Sequence, residues 1–228
     1  MSALDSSPPV LECVELQTTA QPDASIVWLH GLGADGYDFV PLVKELQSLG
    51  APAARYVFPH APMRPVTING GYVMRAWYDI LGSQIDRQED RAGIVQAQEQ
   101  VQALIEREQA RGVAPSRIVL AGFSQGGAIT LQAGLRQARP LAALVVLSSY
   151  LPLATTAAAE STTAGRSIPI FMGHGRQDTV IPLERARASH QALEKLGCRV
   201  QWHEYAIPHS VNQLEMQDLS AFLREALK

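Results

Sequence analysis

The sequence predicts an α/β fold, a mostly parallel central sheet with helices on both faces. Three observations carry this. Short, nearly continuous apolar runs recur along the chain, as strands buried on both faces require. Between them lie stretches whose apolar residues fall at helical spacing, several of them ending at a glycine. The two kinds of segment alternate over most of the length, so right-handed crossovers between parallel strands are the natural connection.

In chain order, Val10–Leu16 reads as a modest first strand, and Ser25–His30 (SIVWLH) as a buried one that ends in glycines. Phe39–Leu49 spaces its apolar residues like a helix and stops at Gly50, and Arg55–Phe58 is a short strand before Pro59. Asp90–Arg111 is the longest helical stretch, with Ile94, Val95, Val101, Leu104 and Ile105 at helix spacing and Gly112 at its end. Arg117–Ala121 is apolar and runs into Gly122, and Gln125–Gln137 follows as a helix. Leu141–Leu147 and Ile168–Met172 are further strands, the second interrupted by Pro169. Leu183–Leu196 is helical and ends at Gly197, Arg199–Tyr205 alternates weakly like a strand, and Val211–Leu227 is a final amphipathic helix. Two stretches resist assignment. Pro59–Asp86 is long and rich in Pro, Asn and Gly, and Thr155–Thr163 is built of Ala, Thr and Ser. Loops of this length in a compact domain are often functional; a mobile connection is the other reading of the second.

At 228 residues a single domain, 1–228, is the default. A hydrophobic fraction of 46% with 18% charged residues suits a globular chain and argues against disorder. The net charge of −3, without a basic cluster, gives no reason to expect a nucleic-acid partner. The longest apolar stretch, Leu141–Leu147, is far too short to cross a bilayer, so no membrane insertion is expected. Met1–Val10 lacks the basic start and apolar run of a secretory signal. Cys13 and Cys198 lie far apart in sequence and read as free thiols of a reducing cytoplasm, with a disulfide as the alternative.

The most informative segment is Gly122-Phe123-Ser124-Gln125-Gly126-Gly127. Gly-x-Ser-x-Gly alone arises by chance in roughly one chain in ten of this length, so the motif needs its context. Here an apolar strand runs into it and a helix runs out. A serine on such a turn is thrust out at the carboxyl edge of the sheet, with the N–H of the next residue at the positive end of a helix. The bland alternative is an ordinary glycine-rich turn.

A serine hydroxyl needs a base, usually a histidine held by a carboxylate, and in this setting the order is Ser, acid, His. Four histidines follow Ser124. His190 lies in a helix, His203 in a strand, and His174 precedes the best acid. His209 falls between the last strand and the last helix, the expected place for the base. Asp178, after the strand Ile168–Met172, is the acid in the right order, although an aspartate there could equally be a helix cap. An oxyanion needs two backbone donors. Gln125 N–H is one, and Leu32 N–H, in His30-Gly31-Leu32-Gly33 after an early strand, is the best second. That glycine loop could instead hold a phosphate, but it lacks the residues of a nucleotide site. No metal-ligand cluster is visible and no cofactor is implied.

The set HGLGADG (His30–Gly36), GFSQGG (Gly122–Gly127), HGRQD (His174–Asp178) and His209 resembles the carboxylesterase/phospholipase family of α/β-hydrolases, which includes bacterial carboxylesterases and acyl-protein thioesterases. PVTINGGYVMRAWYD (Pro65–Asp79) is similar to the bacterial carboxylesterase branch. The resemblance covers the chain from about Ser25 onward. It implies an α/β-hydrolase fold, with Ser124 as nucleophile, His209 as base, Asp178 as its orienter, and Leu32 and Gln125 as oxyanion donors. It also implies that the Trp77 region borders the acyl pocket, with Trp77 as a substrate-binding residue; a plain core Trp is the other reading. Val180, just past Asp178, is taken as a second substrate-binding residue. Ser210 stands where the family often has an acid, and Pro208 where glycine is common, which puts the local loop shape in question. The expectation is a carboxylic ester hydrolase acting through an acyl-enzyme, with lysophospholipids or acyl-proteins as alternative substrates. Only about twenty residues separate Leu147 from Ile168, too few for a large helical lid. Homodimerisation is expected from the resemblance alone. A non-catalytic binding module on the same fold and a peptidase are the competing classes.

Overall fold

Alternation in the sequence becomes alternation in space. The computed structural model describes residues 11–82 and 89–228, so Met1–Val10 and the end of the Pro59–Asp86 stretch lie outside the described residues. The elements run β1 (Cys13–Gln17), β2 (Ser25–Leu29), α1 (Val40–Ser48), β3 (Arg55–Pro59), β4 (Met63–Val66), β5 (Tyr72–Arg75), α2 (Arg91–Ala110), β6 (Ile118–Phe123), α3 (Gln125–Gly134), β7 (Ala143–Leu147), α4 (Ala154–Glu160), α5 (Thr163–Ser167), β8 (Ile170–Gly175), α6 (Leu183–Lys195), β9 (Val200–Tyr205) and α7 (Gln213–Ala226).

Seven strands form one sheet in the order β1-β3-β2-β6-β7-β8-β9. β1 is antiparallel to β3, and every other pair is parallel. The fully buried strands β2, β7 and β8 are those whose sequences read as continuous apolar runs. Alternate side chains divide between two cores. Val27, Leu29, Leu120, Val146 and Met172 face α2, α3 and α6. Ile26, Trp28, Val119, Val145 and Phe171 face α1 and α7. Helices therefore cover both faces, and the carboxyl ends of the parallel strands converge on one edge.

The two unassigned stretches are ordered where they are described. Pro59–Asp86 contains the antiparallel hairpin β4–β5, whose turn is a 3₁₀ helix at Thr67–Asn69. Asp79 pins that turn by accepting the Thr67 N–H at 2.7 Å and the Thr67 hydroxyl at 2.5 Å. The Ala/Thr-rich stretch forms α4, and Glu160 at its end pairs with Arg91 and Arg136. Thr162 then caps α5, its hydroxyl accepting the Gly165 N–H. Neither piece is a plain connection.

Candidate active site

Ser124 stands between β6 and α3 with φ 55°, a positive value that few non-glycine residues adopt. The tight turn depends on the glycines around it. A Cβ on Gly126 would lie 2.6 Å from the His30 carbonyl oxygen, and one on Gly122 would lie 2.6 Å from the Gly127 nitrogen. The strained serine is anchored through its own backbone. Its N–H donates to Leu147 O at 2.9 Å, and the Ser149 hydroxyl donates to its carbonyl at 2.6 Å. The side chain is left to face the sheet edge.

His209 lies in the loop between β9 and α7. Its Nε2 is 2.9 Å from Ser124 Oγ, and its Nδ1 is 2.6 Å from Asp178 Oδ2. The ring packs against Phe123, with centroids 4.8 Å apart. Asp178 lies beyond the end of β8. Its second oxygen, Oδ1, accepts the N–H groups of Val180 at 2.9 Å and Ile181 at 2.8 Å. Burial alone would raise the pKa of this carboxyl. The hydrogen bonds from His209, Ile181 and Val180 outweigh it and hold the group below its ordinary range. The carboxylate is thus kept ionised and its orientation fixed, which is what a base-orienting acid requires.

His174 shares this corner. Its buried ring places Nε2 2.9 Å from Ile181 O and 3.5 Å from Asp178 Oδ2. Burial lowers its pKa. It sits against the Asp178 turn, whereas His209 is the ring that reaches Ser124. Its contact with the Asp178 turn is a feature that spacing does not reveal.

The residue after the serine and the loop after β2, whose Gly31 comes close enough that an added Cβ would lie 3.5 Å from Ser124 Cβ, each offer a backbone N–H. Gln125 N–H belongs to the first turn of α3, where no intrahelical acceptor exists. Leu32 N–H lies in the loop after β2, and it has no acceptor among the described residues. Beside it, Gly33 N–H donates to Arg75 O at 2.9 Å. His30, at the root of the loop, accepts the Ala61 N–H on Nε2 at 3.0 Å, so its proton sits on Nδ1 and donates to Gly31 O at 2.7 Å. This needs a neutral ring, and burial lowers the His30 pKa to about 4.

The two residues taken as substrate-binding differ sharply. Val180 is 62% exposed beside the Asp178 turn. Trp77 is fully buried, and its indole N–H donates to His30 O at 2.9 Å. Its side chain therefore sits beneath the loop carrying Leu32, packed as a core Trp is. The Gln125 side chain, which sequence reasoning did not use, accepts the Trp77 N–H at 2.8 Å and donates to Tyr78 O at 2.7 Å. Cys13 and Cys198 are both unpaired. Among the described residues no group of three or more His, Cys, Asp or Glu side chains is arranged to hold a metal ion, and no helix is long and apolar enough to cross a membrane.

Known proteins share this arrangement of chain and fold. Acyl-protein thioesterase 1 of Gibberella zeae is 38% identical over 217 residues, covering 91% of this chain and 92% of its own. Acyl-protein thioesterase 1 of Cryptococcus neoformans is 34% identical over 238 residues, covering 97% of this chain and all of its own. Among solved structures, SOBER1 of Arabidopsis thaliana superposes with a TM-score of 0.84 at 29% identity, over 90% of this chain and 99% of its own. Acyl-protein thioesterase 2 of Zea mays gives 0.84 at 26% identity, over 95% and 99%. Residues 11–227 match the family described as Phospholipase/Carboxylesterase, and the chain belongs to it.

Proposed function

We propose that this protein is a serine hydrolase that cleaves carboxylic esters through an acyl-enzyme. The observation that carries the reading is the His209 imidazole, which spans Ser124 Oγ at 2.9 Å and Asp178 Oδ2 at 2.6 Å. In this reading His209 Nε2 takes the Ser124 proton as Oγ attacks the ester carbonyl. The tetrahedral oxyanion is met by the N–H groups of Leu32 and Gln125. The alcohol leaves with the proton held by His209, and water, activated by the same ring, releases the acid. Asp178 keeps the proton of the resting imidazole on Nδ1 and offsets the charge of the imidazolium. Val180 borders the substrate.

Acyl-thioesters are the second reading. It is favoured by the relatives at 38% and 34% identity, both named acyl-protein thioesterase 1. The same atoms serve either substrate, because only the leaving group changes from oxygen to sulfur. The unpaired thiols of Cys13 and Cys198 support a cytoplasmic setting. Homodimerisation rests on the resemblance and is checked by sedimentation velocity.

The test is hydrolysis of p-nitrophenyl esters from acetate to palmitate, beside a palmitoyl thioester, with Ser124→Ala as the blank. A short-chain optimum supports the carboxylesterase reading. Faster turnover of the thioester supports the second. No Ser124-dependent turnover on any of them removes both.

A further inference from the structure

We infer that Trp77 is a positioning residue of the oxyanion hole, tying the loop that carries the Leu32 N–H to the turn that carries the Gln125 N–H. The inference rests on the serine hydrolase reading and deepens it. The need for such a tie follows from the sheet. β2 and β6 pair in register only as far as Leu29 opposite Gly122. Leu32 and Gln125 each lie three residues past that last pair, where the ladder no longer fixes one strand against the other. An oxyanion hole nonetheless requires its two donors to be held at a set separation before the charge develops.

Trp77 spans this gap with two donors of its own. Its backbone N–H donates to Gln125 Oε1 at 2.8 Å, and its indole N–H donates to His30 O at 2.9 Å. Gln125 closes the grip by donating from Nε2 to Tyr78 O at 2.7 Å. The same segment reaches the loop a second time through Arg75 O, which accepts the Gly33 N–H. Trp77, Gln125 and His30 are all buried, so water offers little substitute for these bonds. The indole ring also packs against His30, with centroids 5.4 Å apart. One residue thus meets the chain two positions before Leu32 and the side chain of the residue that carries the other donor. Both bonds join buried groups beneath the two donors, so their loss should be felt where charge develops and not where the substrate binds.

Trp77→Phe removes the indole donor and keeps an aromatic ring in the core. The expected result on a p-nitrophenyl ester is a kcat lowered about ten- to a hundredfold, less than the roughly 10²–10³ cost of removing an oxyanion donor outright, with KM changed less than about twofold. The inhibition constant of phenylboronic acid, whose tetrahedral adduct on a serine places an oxygen in the hole, should rise by a similar factor. An unchanged kcat overturns the inference, including the case in which only the melting temperature falls. A raised KM with kcat retained also overturns it, because Trp77 would then be lining the substrate site. If Trp77→Phe does not fold, Gln125→Met cuts the other end of the tie while leaving the backbone N–H in place, and the same split between kcat and KM is expected. An unaltered kcat in that variant is equally fatal. Ser124→Ala, run alongside, separates the two levels. Retained turnover in it defeats the serine reading itself, whereas a dead Ser124→Ala beside a fully active Trp77→Phe defeats only the role of Trp77.

Discussion

His209 Nδ1 donates to Asp178 Oδ2 at 2.6 Å, while Oδ1 of the same carboxylate is held by the backbone N–H groups of Val180 and Ile181. The carboxyl cannot rotate without giving up both backbone bonds, so the oxygen facing His209 is fixed. Asp178→Asn tests this division of labour. The amide oxygen takes the two backbone bonds, and the NH₂ group is left facing His209. The imidazole then carries its proton on Nε2, toward Ser124, and loses its basic lone pair there. We expect kcat to fall by about 10³–10⁴, as when a triad acid imposes the wrong tautomer, with little change in the thermal midpoint. Steady-state kinetics and a melting curve check both halves.

Activity should fall toward acid pH. Asp178 is held below the ordinary carboxylate range by its hydrogen bonds, and a protonated imidazole at His209 would have no lone pair left to act as a base. A pH profile of kcat/KM measured from neutral pH downward should show this loss. A flat acid limb would remove His209 from the role of base.

A separate pH effect is expected on stability. Glu215 in α7 is fully buried, and neither of its oxygens has a hydrogen-bond partner among the described residues. Burial raises its pKa from 4.5 to about 8. Between those two values the folded protein holds a proton that the unfolded chain has released. Glu215 therefore makes stability decline as pH rises from about 4.5 to about 8. Glu215→Gln, which mimics the protonated form, should flatten that decline and melt higher than the parent near pH 8. Thermal midpoints of the two proteins across this range decide it. Parallel curves would show that Glu215 does not hold the proton.

The close approach of α3 to the end of β2 should be intolerant of a single methyl group. In Gly126→Ala the new Cβ meets the carbonyl oxygens of Leu29 and His30, both of them backbone atoms. We expect a loss of about 1–3 kcal/mol in urea denaturation, the usual cost of overpacking, and a further loss of activity as the turn beside Ser124 shifts.

Much of this architecture can be read from the chain. Strands β2, β7 and β8 are buried on both faces, and that burial is written as unbroken apolar runs. Ser124 is legible because a strand, a glycine-bracketed serine and a helix occur in that order, and Asp178 and His209 because they follow it on later loops. The structure brings His209 within hydrogen-bond distance of both Ser124 and Asp178. The hairpin β4–β5 is not legible. Tyr72 and Val73 both face solvent, and Pro65 sits within a strand, so the usual alternation is missing. Helix α4 buries only Ala157 and is held by ion pairs from Glu160 to Arg91 and Arg136, which leave no apolar stripe to detect. Trp77 shows the limit most clearly. Its identity is plain in the sequence, but the direction of its indole N–H is set by the placement of His30, 47 residues away.

Covalent trapping at Ser124 is the sharpest test of the acyl-enzyme. The intact mass of the protein is measured after brief mixing with p-nitrophenyl acetate and acid quenching, followed by peptide mapping. An acetyl group is expected on Ser124 in the wild type and none in Ser124→Ala, with the trapped fraction matching any burst of p-nitrophenol. Rapid turnover by Ser124→Ala, or acetylation mapped to another residue that is required for turnover, would contradict it.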